Sequence, residues 1–165
     1  MRHCVLLFVC CSVVAVASDA HDRVFGRWAS EGSIIEIGES DGQLHARVIA
    51  LLDPVYRPDE EDGVAGAVRV DAKNPAVALR VRPIIGINLL EGYSYKDGQW
   101  RGRIYDPESG KTYKSHMSVD ADGNLRMRGY IGVPMLGRTA IFHPISSCLG
   151  NIPKMLALAT LDVTC

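Results

Sequence analysis

The sequence has no basic excess. Its 18 lysine and arginine side chains stand against 19 acidic ones, which argues against a dedicated nucleic-acid binder. It has no sustained helical periodicity beyond one short segment near its end, so a helical bundle is not indicated. No period of about 20–50 residues repeats, and a solenoid is ruled out with it. A nucleophile elbow, a zinc pair and a cysteine redox motif are all missing. No catalytic residue and no reaction are assigned on this basis. His45, His116 and His143 fall on different strand-like runs, so no metal and no cofactor is indicated. Asp120-x-Asp122-x-Asn124 resembles the opening of a calcium loop. However, Gly123 is misplaced and Ile131 stands where the closing glutamate belongs, so a hairpin turn accounts for it.

Long apolar runs are confined to the start. Arg2 precedes Val5 to Val9 and Val13 to Ala17, followed by the small residues Ala15-Val16-Ala17-Ser18. A basic residue, a short apolar core and an A-x-A site read as a secretory signal peptide over residues 1–20, too short to anchor in a bilayer. The bulky Val9 disfavours the competing lipoprotein reading, with Cys10 or Cys11 acylated. An exported protein, periplasmic or secreted, of about 145 residues would remain, enough for one domain with a core. Cysteine is then scarce. Cys4, Cys10 and Cys11 leave with the leader, and Cys148 and Cys165 are expected to form a disulfide in an oxidising compartment.

Short alternating runs punctuated by turn signals fill the rest, which is the all-β pattern. Strands are expected at 23–30, 33–38, 43–52, 84–90, 99–105, 111–119, 124–131 and 138–143. Residues 53–83 form a long connection, usually functional or mobile at that length. Eight strands joined mostly by hairpins predict an antiparallel up-and-down β-barrel over residues 21–145, because closure removes exposed edges; a sandwich is the alternative. In the extension 146–165, residues 153–163 predict a short helical cap tied down by the disulfide.

Parity sets the register of strands five to seven, since a one-residue slip exchanges the faces. Pairing Ile104 with Tyr113 and Val119 with Leu125 places Trp100, Ile104, Tyr113, Met117, Val119, Leu125, Met127 and Ile131 on the inner face. Gly102, Ser115 and Gly129 then form an inner row with little side chain. A large residue fills that row, as small barrels alternate small and large residues, or it stays open as a cavity. The candidate ligand-binding residues are Trp28, Trp100, Gly102, Tyr113, Met117, Met127 and Gly129. The outer face gathers Arg101, His116 and Arg128 in one row and Arg103, Lys114 and Tyr130 in the next. This is a solvated exterior or an anion site for headgroup phosphates.

Gly26-x-Trp28 resembles the lipocalin glycine–tryptophan motif, in which the tryptophan plugs one barrel end. More motifs occur in order: Pro83-Ile84-Ile85-Gly86, Gly102-Arg103-Ile104-Tyr105-Asp106-Pro107, Gly110-Lys111-Thr112-Tyr113, Arg128-Gly129-Tyr130-Ile131-Gly132 and Leu136-Gly137-Arg138. Together, over roughly Val24 to Pro144, they are similar to the secreted bacterial family known as domain of unknown function 2147. The resemblance implies an exported, lipocalin-like barrel and no activity. The chain departs from the family near Ala140-Ile141-Phe142, where an aromatic is replaced, and from Ser146 onward, which extends past the usual end. The function expected is binding of a small apolar or amphipathic ligand. The alternative is an envelope structural or interaction protein that uses the basic-aromatic face against a membrane surface or anionic headgroups.

Overall fold

A computed structural model describes residues 20–161 and 165. The proposed signal peptide therefore lies almost wholly outside the described residues. Eight strands form one antiparallel sheet: β1 (Gly26–Ala29), β2 (Ser33–Ser40), β3 (Gln43–Leu51), β4 (Leu90–Lys96), β5 (Gln99–Asp106), β6 (Lys111–Val119), β7 (Leu125–Tyr130) and β8 (Arg138–Pro144). Their order is β3-β2-β1-β8-β7-β6-β5-β4. The sheet curls into a nearly closed barrel whose seam lies between β3 and the chain entering β4. There Val48 N–H donates to Ile87 O at 3.1 Å, Gly86 N–H to Val48 O at 2.7 Å and Leu89 N–H to Ala46 O at 2.8 Å.

That seam explains why the fourth strand begins at Leu90 rather than Ile84. Residues 84–89 do lie along β3, but the Asn88 side chain takes the place of a regular ladder. Its Oδ1 accepts from Ala46 N–H at 2.9 Å and Leu90 N–H at 3.2 Å. The ladder resumes at Leu90, which pairs with Ile104. The parity-derived register of β5, β6 and β7 holds: Trp100 pairs with Met117, Gly102 with Ser115, Ile104 with Tyr113 and Met117 with Met127. One inner-face assignment fails. β7 ends at Tyr130, and Ile131 is 70% exposed in the connection to β8.

The core inside the barrel holds Trp28, Ile35, Ile37, Val48, Leu90, Trp100, Met117, Leu125, Met127 and Phe142. One end is closed. A 3-10 turn, Asp22–Val24, puts the fully buried Val24 over the core. Trp28 Nε1–H donates to Val24 O at 2.8 Å, and Trp100 Nε1–H donates to His21 O at 3.0 Å. Opposite Ile34/Ile35 a β-bulge adds one residue, Ile49, to β3 and reverses its facing, so Ala50 leaves the interior and joins Ile34 on the outer side. There they meet Ile152, Met155 and Leu156 of α1 (Ile152–Leu158) in a separate cluster. The helix is shorter than the 153–163 expected, and residues 162–164 lie outside the described part. Cys148 and Cys165 are bridged, with Cα atoms 5.5 Å apart. No helix among the described residues is long and apolar enough to cross a membrane.

Candidate functional site

The other end of the barrel is open. The turn between β1 and β2, the long connection, the β5–β6 turn and the β7–β8 connection all lie at that end. Between the first three is a hollow of about 810 Å³, within the usual range for small-molecule sites. Val48, Leu51, Ile84, Leu89 and Ile104 form its apolar floor, each packed on or within the barrel core. Its rim is polar: Ser30, Asp53, Arg57, Glu60, Asp62, Arg69, Lys73, Asp106 and Glu108.

The rim charges are largely paired with one another. Arg57 reaches Asp53 at 3.0 Å and Glu60 at 3.3 Å, Arg69 reaches Glu60 at 2.8 Å, and Lys73 reaches Asp62 at 3.1 Å. The hydrogen bonds from the Arg69 guanidinium, then from the Arg57 backbone, hold the Glu60 carboxyl below its ordinary range. Exposed pairs of this kind stabilise little individually. Their combined effect is to set the shape of the long connection, in which Arg69 also lies 4.8 Å over the Tyr56 ring.

A buried carboxylate fixes that connection to the barrel. Asp71 is fully buried. Its Oδ2 accepts from Arg82 Nε at 3.0 Å, Arg82 Nη2 at 2.8 Å and Asn74 Nδ2 at 2.7 Å, while Oδ1 accepts from the Tyr105 hydroxyl of β5 at 2.6 Å. Burial, then the hydrogen bond to Asp71, pushes the Tyr105 hydroxyl up to about 12. The β5–β6 turn is a second attachment. Asp106 accepts from Glu108 N–H at 3.0 Å and from Ser109 Oγ at 2.6 Å. Gly110 has φ +68°, and a Cβ there would fall on the Lys73 carbonyl oxygen. The wall of the mouth is thus ordered, although the sequence marked it only as a long connection.

The sequence-derived ligand residues divide by depth. Trp28, Trp100, Met117 and Met127 are buried in the closed half. The Gly102–Ser115 part of the small-residue row is filled. The β4–β5 pairing is interrupted between Glu91 and Ser94, and this bulge turns Tyr93 inward over Gly102, where its hydroxyl bonds Ser115 Oγ. Tyr93 comes from the neighbouring strand rather than the opposite wall. Burial raises its hydroxyl to about 12, against the opposing effect of the Ser115 bond. A Cβ on Gly129 would touch Tyr113 and Ile104 at ordinary distances. Tyr113 is half-buried, with its hydroxyl 3.2 Å from Ser109 Oγ. None of these seven residues lines the hollow; of its floor, alternation had placed Ile104 on the inner face but not among the ligand residues.

The outer face assembles as expected. Arg101 pairs with His116 and His116 with Arg128; Arg103 pairs with Lys114 and Lys114 with Tyr130. A groove of about 540 Å³ runs along it, lined by Arg101, Arg103, Thr112, Lys114, Tyr130 and Ile131 among others. Arg128 is committed elsewhere: its guanidinium donates to Pro134 O at 2.8 Å, Met135 O at 3.1 Å and Thr139 Oγ1 at 2.8 Å. Partial burial, then the charges of Arg101 and Arg128, hold His116 below its ordinary value. Arg103 reaches Glu91 at 3.7 Å. The histidines stay apart. His143 bonds Asn124 at 2.8 Å, and no group of three His, Cys, Asp or Glu among the described residues is placed to hold a metal.

Comparison with solved structures finds a protein from the human pathogen Helicobacter pylori described as belonging to the lipocalin family. It is 19% identical, covers 85% of this chain and 90% of its own, and superposes with a TM-score of 0.57. At that identity the likeness concerns the fold. No curated protein matches the chain. A profile described as "uncharacterized protein conserved in bacteria", domain of unknown function 2147, matches residues 26–143. The match spans β1 to β8 and takes in the sheet, the seam and the whole mouth, so the chain belongs to this bacterial family.

Proposed function

We propose that the protein is an exported binding protein of lipocalin-like form that takes a small apolar or amphipathic ligand at the barrel mouth. One observation carries this reading: a hollow of about 810 Å³ with an apolar floor and a charged rim, at the open end of a barrel whose core packs Trp28, Trp100, Met117 and Met127. An apolar body would sit on Val48, Leu51, Leu89 and Ile104, where burial yields about 25 cal/mol per Å². A polar head would meet the rim, where Arg57, Arg69 and Lys73 offer donors and Asp53, Asp106 and Glu108 offer acceptors. Trp28, Trp100, Met117 and Met127 are the packed base under the ligand, with Tyr93, Gly102 and Ser115 above them. The disulfide supports the export reading, because such bonds persist in oxidising compartments.

Native mass spectrometry of the protein purified from the envelope tests this, alongside the Ile104→Trp variant. A bound mass in the wild type that the enlarged side chain displaces is the expected result. An unliganded wild type, with no lipid or fatty acid shifting its melting temperature, would refute it.

A further inference from the structure

The two ends of the barrel differ in what they show to solvent. The closed-end hairpin turns carry Asp41, Asp97 and Asp122 and no exposed large apolar side chain. At the mouth end, the β7–β8 connection alone exposes Ile131 at 70%, Val133 at 52%, Met135 at 84% and Leu136 at 79%. Most other exposed large apolar residues of the described chain lie on the long connection at this same end. Exposed apolar side chains grouped at one end in this way mark an interaction site.

The β7–β8 connection is held in shape. Pro134–Leu136 form a 3-10 turn, and the Arg128 guanidinium binds the carbonyls of Pro134 and Met135. The turn therefore presents Met135 and Leu136 outward from a fixed backbone. Cations flank it. Arg103 and Lys114 share the outer groove with Ile131, and Arg138 follows the turn opposite Gly129. Lys114 and Arg138 have no acidic partner within ion-pair distance among the described residues, and Arg103 reaches Glu91 at 3.7 Å; the acids at Asp53, Glu60 and Asp62 are paired within the long connection. An apolar tip with cations beside it matches an anionic bilayer: hydrocarbon below, phosphate above.

We propose that the barrel docks mouth-end first on an anionic lipid surface, with the Ile131–Leu136 turn inserted and Arg103, Lys114 and Arg138 at the headgroups. The mouth would then open toward the bilayer. This proposal does not require the hollow to hold a ligand.

Flotation with phosphatidylglycerol/phosphatidylethanolamine vesicles, against pure phosphatidylcholine, provides the test. The wild type should float with the anionic vesicles alone, and less as salt screens the charges. Met135→Glu/Leu136→Glu and Arg103→Glu/Lys114→Glu should each lower binding at least about tenfold, since one cation near such a surface contributes about fivefold. These side chains are exposed, and an unchanged melting temperature would show that the variants fold. Met135→Trp, but not Asp97→Trp, should add fluorescence that brominated lipid quenches. Ile104→Trp should leave flotation intact, which separates this proposal from the ligand reading. Absence of flotation, or flotation that both double variants retain, overturns the proposal. So does self-association that Met135→Glu/Leu136→Glu abolishes without any lipid binding, since a second copy would then cover the turn.

Discussion

Replacing Asp71 by asparagine keeps the shape of the side chain and removes its charge. In the native arrangement the carboxylate takes four hydrogen bonds, three of them on Oδ2 from Arg82 and Asn74. An asparagine can turn its oxygen toward those three donors, but its NH2 then faces the Tyr105 hydroxyl, whose proton loses its acceptor. In the other orientation the NH2 confronts Arg82 and Asn74, donor against donor. Either way one donor is left unsatisfied and the Arg82 charge is uncompensated. Breaking a buried pair costs about 3–5 kcal/mol. Arg82 is about one-third exposed, so water recovers part of that, and the expected loss is about 2–3 kcal/mol. Tyr105→Phe removes a single bond and should cost about 1 kcal/mol. Urea unfolding measures the total. Hydrogen exchange locates it: the Asp71 and Ile84 amides, which donate to Arg82 O and Arg69 O, should exchange faster than those of β6. An Asp71→Asn variant within about 0.5 kcal/mol of wild type, with exchange unchanged over residues 69–84, would refute the claim that this carboxylate fastens the mouth wall.

Three further perturbations follow from the same geometry. Tyr93 and Tyr105 both have hydroxyls raised to about 12, so folding favours their protonated forms. The associated stability is complete below pH ~10 and is lost as pH rises toward ~12; tyrosinate absorbance should show Tyr93 and Tyr105 titrating late, and Tyr93→Phe should flatten the alkaline loss. Gly110→Ala meets a left-handed backbone and the Lys73 carbonyl together, so it should cost about 2 kcal/mol or more and expose the Lys73 segment to limited proteolysis, whereas Gly98→Ala, which shares the left-handed backbone (φ +75°) but has open space around it, should cost only about 1 kcal/mol and leave that segment protected. Cys148→Ser opens a loop with a sequence separation of 17; chain entropy predicts a loss of about 3 kcal/mol in thermal unfolding, with the barrel's circular dichroism unchanged.

Where alternation is strict and both neighbours are joined by tight hairpins, local chemistry settles the structure. The Trp100–Met117–Met127 and Gly102–Ser115–Gly129 rows of β5, β6 and β7 follow from parity, because a slip of one residue would bury Arg101 and Arg103. The Cys148–Cys165 bridge, the hairpin at Asp120–Asn124 and the helix after Pro153 were legible for similar reasons: each is decided by residues close in the chain or by the scarcity of alternatives. The family motifs, spread from Gly26 to Arg138, carried the closure of the barrel.

The mouth was legible only as a long connection, because its determinants are distant in sequence. Asp71 meets Tyr105 across 34 positions, and nothing local distinguishes a buried acid that finds its partners from a solvated one. Whether the Gly102 row is hollow depended on a bulge at Gly92-Tyr93, which turns one aromatic inward from a neighbouring strand. Ile131 reads as the last inward residue of a strand, but the ladder ends one residue earlier, where Arg128 draws the chain over to bind Pro134 and Met135. Alternation sets which side of a strand faces in. Where a strand stops, what fills a gap and where space remains are set by contacts between segments that only the closed barrel brings together.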